Sequence, residues 1–220
     1  MSYSHIFNEL KNDIIFFKIK PGDTISEIEL TKRFKISRTP IRDIIKKLEY
    51  EGFVEVRPQK GTFVTSIDVS KIYEIMYLRE ILEISVAKQL IQKASDEELC
   101  RLDLIVASQL NVINSCTEDE RAAKFLESDD EFHQALFAMA NKSFLWDMVA
   151  KVKSHYYRVR YLLNLRNKDD MLKVLTQHSS IIEALKERNE EKLEKCYHNH
   201  IYEGLKDLKV IMEKYHYYFK

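Results

Sequence analysis

Proline and glycine are nearly absent from this 220-residue chain, which holds 3 of the first and 4 of the second. All three prolines, Pro21, Pro40 and Pro58, lie in the first 60 positions. The scarcity argues against a fold made of many tight turns and leaves the remainder free to run as uninterrupted helices. Cys100, Cys116 and Cys196 are odd in number and far apart, with no C-x-x-C pair. No disulfide framework is expected from them, and a reducing cytoplasm is. Long apolar runs are missing too: Ile14-Ile15-Phe16-Phe17 is far too short to cross a bilayer, and Met1-Ser2-Tyr3-Ser4-His5 is no signal peptide. The expectation is a soluble, cytoplasmic protein without a membrane partner.

What is present is 45% apolar and 32% charged residues, enough chain and enough grease for two small domains. The net charge is zero, so the total gives no hint of a nucleic-acid partner. Its distribution does. Residues 1–66 carry 12 Lys and Arg against 9 Asp and Glu, leaving 23 against 26 for the rest. A mildly basic head on a mildly acidic body has the sign a DNA-binding head requires.

The most informative stretch is residues 36–52. Ile41, Ile44, Ile45 and Leu48 recur at helical spacing and form a buried stripe. Arg38, Arg42 and Lys46 recur every four residues on another face, with Lys47 at its edge. Ser37 or Thr39 supplies an N-cap, Pro40 fits in the first turn, and Gly52 accepts the positive φ of a helix stop. Taken alone, such a helix is most simply a solvated surface helix. Its flanks change that. Ser26-Glu27-Ile28-Glu29 reads as a capping box opening a preceding helix through Leu30 and Phe34. Phe53-Val54-Glu55-Val56 and Thr62-Phe63-Val64 read as two strands, joined by Arg57-Pro58-Gln59-Lys60-Gly61 with Gly61 in the turn. Helix, turn, helix and basic hairpin make a winged helix-turn-helix.

Residues 22–64 resemble the DNA-binding domain of the GntR family of bacterial transcription regulators. The resemblance rests on Gly22-Asp23, Leu30, Ser37-Arg38-Thr39-Pro40-Ile41-Arg42, Leu48, Glu51-Gly52-Phe53-Val54 and Gly61-Thr62-Phe63-Val64. It implies that Arg38 and Arg42 contact operator DNA, that Ser37 and Thr39 reach phosphates, and that the wing at Lys60 and Gly61 enters the minor groove. Lys46 joins this set from its position on the basic face. Some relatives carry an Arg early in the first motif helix where this chain has Ile28, so operator preference does not transfer from them.

A leading helix is expected over 5–18, from Ile6, Phe7, Leu10, Ile14 and Phe17. Beyond the wing, six helices follow: about 69–93, one from Ser95 through Leu110, then 117–140, 143–165, 167–188 and 190–217. The fold class is therefore mostly α: a winged helix-turn-helix over 1–66, a linker over 67–70, and an all-α six-helix bundle over 71–220.

In that bundle Asp129 and His133 are spaced i, i+4, while His178 and His200 lie on later helices. One carboxylate and three imidazoles suit a divalent transition metal, although spacing alone does not bring separate helices together. Residues 70–210 resemble the FCD effector domain of the FadR-type branch. Asp129, Phe132, His133, His178 and His200 fill the positions of its metal-binding members. The resemblance implies a metal held by Asp129, His133, His178 and His200, with Zn²⁺ first and Ni²⁺, Mn²⁺ or Fe²⁺ as alternatives. Arg79 has two readings: an i, i+4 ion pair with Glu83 on the helix surface, or, by resemblance, a contact to the effector's carboxylate. His5, His155, His198 and His216 read as solvated, Cys196 as a small core residue, and the tyrosines at 156, 157, 161, 215, 217 and 218 as core and dimer packing.

No His-Glu-x-x-His and no Ser/His/Asp or Cys/His arrangement stands out, so no enzyme is expected. The reading is a transcription regulator, a repressor acting as a homodimer on double-stranded operator DNA, whose body binds a metal and a small organic acid. The alternatives are a FadR-like acyl-CoA sensor without metal and a metal-dependent enzyme fused to a DNA-binding head.

Overall fold

A computed structural model describes residues 2–165 and 167–220, Asp119 by its backbone alone. The head begins with α1 (Tyr3–Ile15), capped by the Ser2 hydroxyl, which accepts from the His5 amide. Then come β1 (Thr24–Ile25), α2 (Glu27–Phe34), α3 (Arg38–Tyr50), β2 (Val54–Arg57) and β3 (Gly61–Val64). The strands form an antiparallel sheet in the order β1-β3-β2, with Thr24 opposite Phe63 and Val54 opposite Val64. The short β1 extends the expected two-strand hairpin on its other edge. Ile6, Leu10 and Ile14 of α1 pack against Leu30, Phe34, Ile41, Ile44 and Leu48, all buried. The stripe read from the sequence is therefore the head's core.

Two expected caps differ in detail. The Ser26 hydroxyl accepts from the Glu29 amide without the return bond that Ser95 and Glu98 make in their reciprocal box. Ser37 starts α3 without a side-chain cap bond. Gly52 stops the helix at φ 78, and a Cβ there would lie 3.1 Å from Ser154 Oγ in the body. That position needs glycine for its conformation and for the closeness of the two units.

The body comprises α4 (Val69–Lys93), α5 (Asp96–Ser115), α6 (Glu118–Met139), α7 (Ser143–Val152), α8 (Ser154–Asn164), α9 (Lys168–Lys186), α10 (Glu190–Glu203) and α11 (Leu208–Lys214), then a 3-10 turn, His216–Tyr218. The six expected segments are present, two of them divided: one at Lys153, between α7 and α8, the other at residues 204–207, between α10 and α11. α9 lies between α5 and α10, α10 lies against α4, and α6 lies between α5 and α8. Phe132, Leu136, Val159, Leu162, Ile181, Leu185 and Tyr197 fill the centre. Leu126 of α6 and Tyr157 of α8 pack into the head's core, so the units share an apolar contact. No helix among the described residues is long and apolar enough to cross a membrane.

Candidate metal centre and nucleic-acid interface

On the head, Ser37, Arg38, Thr39, Arg42 and Lys46 are exposed along α3, opposite the buried stripe. Arg42 is already engaged: its Nε donates to both Glu27 oxygens, at 3.0 and 3.1 Å. Lys60 and Gly61 are exposed at the tip of the β2–β3 hairpin, where Gln59 (φ 61) and Gly61 (φ 114) share the reversal. Ile28 is exposed on α2.

In the body, α6 presents Asp129 and His133, α9 presents His178 and α10 presents His200. All four are buried, and one ligand atom from each lies within 4.8 Å of the others. The spacing that could not show convergence is thus resolved: three helices do meet.

The partners of the ring nitrogens decide where the lone pairs point. His133 Nδ1 lies 2.8 Å from Glu83 Oε2, so it carries the proton. His178 Nδ1 lies 2.9 Å from Gln109 Oε1, an amide held in register because its Nε2 donates to the Ser128 carbonyl at 2.9 Å. His200 Nδ1 lies 3.1 Å from Gln177 Oε1. The His178 and His200 Nδ1–H groups donate outward and His133 Nδ1 faces the Glu83 carboxylate, so each Nε2 keeps its lone pair facing inward. His133 Nε2 and His200 Nε2 stand 3.1 Å apart, a repulsive approach unless a cation or proton lies between them. Asp129 Oδ1 and His178 Nε2, 3.5 Å apart, are buried and accept no hydrogen bond among the described residues. This donor set fits a divalent transition ion with imidazole preference.

Two guanidiniums stand at the same spot. Arg79 is buried, with Nε 2.5 Å from Glu83 Oε1 and Nη2 3.2 Å from His133 Nε2; its Nη1 donates to the Tyr156 hydroxyl. The Glu83 pair of one reading forms, but inside the protein and beside the imidazoles rather than on the helix surface. Arg160 Nη2 lies 3.1 Å from Asp129 Oδ1. Burial alone would raise the Asp129 carboxyl; the Arg160 charge and the three imidazoles overcome it and hold it well below its ordinary value. Burial pushes His178 down to about 3. It also lowers His200, with help from the neighbouring rings. Asp129 is therefore a carboxylate, and His178 and His200 are neutral imidazoles, near neutral pH, the forms that bind metal.

A cavity of about 250 Å³ is lined by His200, Gln177, Arg160, Asn164, Leu205 and Lys206, among others. Sequence reasoning missed Glu83, Gln109, Gln177 and Arg160 as site residues. It also assigned His155 to solvent; that ring is half-buried, and its Nδ1 accepts from the Asp68 amide at 3.1 Å. His5, His198 and His216 are exposed as expected, and Cys196 packs on the core.

Residues 2–64 match the family described as bacterial regulatory proteins, gntR family, and residues 74–203 match the FCD domain. The chain belongs to the gntR family of bacterial regulatory proteins. It is similar to the HTH-type transcriptional repressor RspR of Escherichia coli K12, 30% identical over 95% of this chain and 90% of that one. It is also similar to the gluconate operon transcriptional repressor of Bacillus subtilis, 26% identical over 82% of this chain and 74% of that one. The solved structure of E. coli McbR/YncC shares the fold, with a TM-score of 0.74 at 18% identity over 98% and 99% of the two chains. This gntR-family chain is thus a DNA-binding transcriptional regulator with an FCD effector domain, and the enzyme reading is set aside.

Proposed function

We propose that this regulator is a repressor that acts in the cytoplasm as a homodimer on operator DNA. In this reading residues 1–66 bind DNA, 67–70 link, and 71–220 bind the effector and dimerise. Arg38 and Arg42 read base edges, Lys46 neutralises phosphate, Ser37 and Thr39 hydroxyls bind phosphate oxygens, and Lys60 and Gly61 carry the wing into the minor groove. Their exposure on one side of the head supports this assignment. The missing cap bond at Ser37 supports it too, because that hydroxyl is not spent on the helix.

Asp129, His133, His178 and His200 would hold a divalent metal, Zn²⁺ first and Ni²⁺, Mn²⁺ or Fe²⁺ next. The observation that carries this is the inward convergence of three Nε2 atoms, each fixed by a separate acceptor on its Nδ1. A bound metal supplies Lewis acidity toward an oxygen ligand. Arg79 and Arg160 supply two positive charges against Glu83 and Asp129, so a divalent ion leaves the site doubly positive. That excess favours a small organic acid as effector, entering by the cavity beside His200. Arg79, with Nη2 next to the His133 lone pair, is the candidate for its carboxylate. An effector alters operator affinity only by binding one head–body arrangement better than the other.

Exposed apolar side chains four apart on α4 (Tyr73, Tyr77, Ile81) and on α7 (Phe144, Met148, Val152) support a second copy on that face. The deciding experiment measures metal content of purified protein, then binding to duplexes selected from a random pool, with and without metal and a panel of small carboxylates. Stoichiometric metal lost in His133→Ala, with carboxylate-dependent DNA affinity, is expected. A protein that takes up no metal returns the reading to the acyl-CoA alternative.

A further inference from the structure

The FCD match stops at residue 203, and residues 204–220 lie beyond it. Their path joins two places that matter. At one end, residues 204–207 follow the end of α10, four positions and more beyond His200, and form part of the wall of the cavity that Arg160, Gln177 and His200 also line. From there α11 runs across α8 and buries Leu208 and Ile211. At the other end the Tyr218 ring is buried and stacks on Phe17, just after α1 of the head, with centroids 5.0 Å apart.

The same end grips the connection between head and body. The Ile67 amide donates to the Tyr218 carbonyl at 2.7 Å, and the Lys220 amide donates to the Ile67 carbonyl at 3.0 Å, a short parallel bridge. Lys220 Nζ lies 3.4 Å from Asp68 Oδ2. From the opposite side α8 holds the same connection. The buried Arg158 donates from Nη1 to the Thr65 carbonyl and from Nη2 to the Thr65 hydroxyl, and the Asp68 amide donates to His155. The Thr65 hydroxyl in turn donates to the Gly52 carbonyl at 2.8 Å, tying the connection to the end of α3. Residues 65–68 are therefore clasped between the tail and α8. Both of those elements also border the effector cavity, α8 through Tyr156 and Arg160.

We infer that residues 204–220 act as a strap by which occupation of the cavity beside His200 changes how firmly residues 65–68, and with them the DNA-binding head, are held to the body. The strap rests on the effector reading only for the identity of the natural occupant. Side chains that fill the cavity from within act on it as well.

Hydrogen exchange of the full chain, read by mass spectrometry at the Ile67 and Lys220 amides, tests this. Two perturbations are used: Zn²⁺ alone, and Val174→Phe, which fills the cavity from α9 without any ligand. Each is expected to change exchange at both amides by about fivefold or more, and Tyr218→Ala, which removes the ring from Phe17, is expected to abolish the response. In Tyr218→Ala zinc uptake stays unchanged, because that ring packs on Phe17, Tyr215 and Tyr217 and not on a cluster residue. Unaltered exchange in Val174→Phe, or a response that survives Tyr218→Ala, overturns the strap. Failure to take up zinc overturns the metal reading alone, since the Val174→Phe arm still decides the strap.

Discussion

Gln109 is fully buried between two polar groups: its Oε1 faces His178 Nδ1 and its Nε2 donates to the Ser128 carbonyl. Gln109→Leu keeps the side chain's approximate size and removes both partners. The His178 Nδ1–H becomes an orphaned buried donor, at a cost of about 1–3 kcal/mol, while the Ser128 carbonyl keeps its bond within α6. At about 2–4 °C per kcal/mol for a chain of this size, the melting midpoint should fall by roughly 2–12 °C. The His178 ring would also lose the bond that aims Nε2 inward, and metal affinity should drop about 10–100-fold, the usual effect of removing such a partner. Gln109→Glu separates the two effects. A carboxylate still accepts from His178 Nδ1–H but cannot donate to Ser128, so stability falls while zinc affinity is kept. Thermal melts with and without zinc, and a competition titration against a chelator of known affinity, read both quantities. Wild-type zinc affinity in Gln109→Leu would refute the orientation argument for His178, and by extension the inward convergence of the lone pairs.

Zinc at about a hundred times its dissociation constant should stabilise the protein by about 2.7 kcal/mol, raising the melting midpoint by roughly 5–10 °C, and a chelator should reverse it. His133→Ala should show no such rise. Arg42→Ala should weaken selected DNA sites by about 1–3 kcal/mol, measured against random duplex in the same salt; an equal loss on both reduces Arg42 to a phosphate contact. Acid should destabilise the metal-free chain through His155, which burial and the nearby Arg158 charge push down to about 4, with Lys220 and Lys71 acting in the same direction and Asp68 against them. The unfolded ring takes a proton near pH 6.5 and the folded ring does not, so stability is full above about 6.5 and falls toward 4 by about 1.4 kcal/mol per pH unit. Denaturant midpoints from pH 7.5 to 5 should follow a shallower slope in His155→Gln than in the wild type; equal slopes would remove His155 as the cause.

Patterns with a short period were legible in the sequence. The stripe from Ile41 to Leu48 fixed the recognition helix and its exposed face, since both follow from 3.6 residues per turn. β1 was not legible, because two residues carry no alternation and Thr24 pairs with Phe63, far along the chain. Nor was the break at Lys153, where neither proline nor glycine stands. Among site residues, Asp129 and His133 share a helix turn and could be paired by spacing. Adding His178 and His200 needed the family resemblance. Glu83, Gln109 and Gln177 escaped both routes, because each faces the Nδ1 of a ring on another helix, and no local spacing records that. The misreading of His155 has the same origin: its partner is the backbone of Asp68, distant in sequence.

The bond between Arg42 and Glu27 has a consequence for how the head samples a genome. Before any duplex arrives, the guanidinium is satisfied by a tethered carboxylate, so an encounter must displace an internal rival. An exposed pair of this kind is worth about 1 kcal/mol or less, a toll that every sequence meets alike. A lone phosphate returns little more than the acid already provides. A guanine edge offers two acceptors in the geometry of the fork and clears the toll with a margin. Under the proposed role of Arg42, Glu27 subtracts the same amount from every encounter, and net binding through this side chain survives only where both arms of the fork are filled.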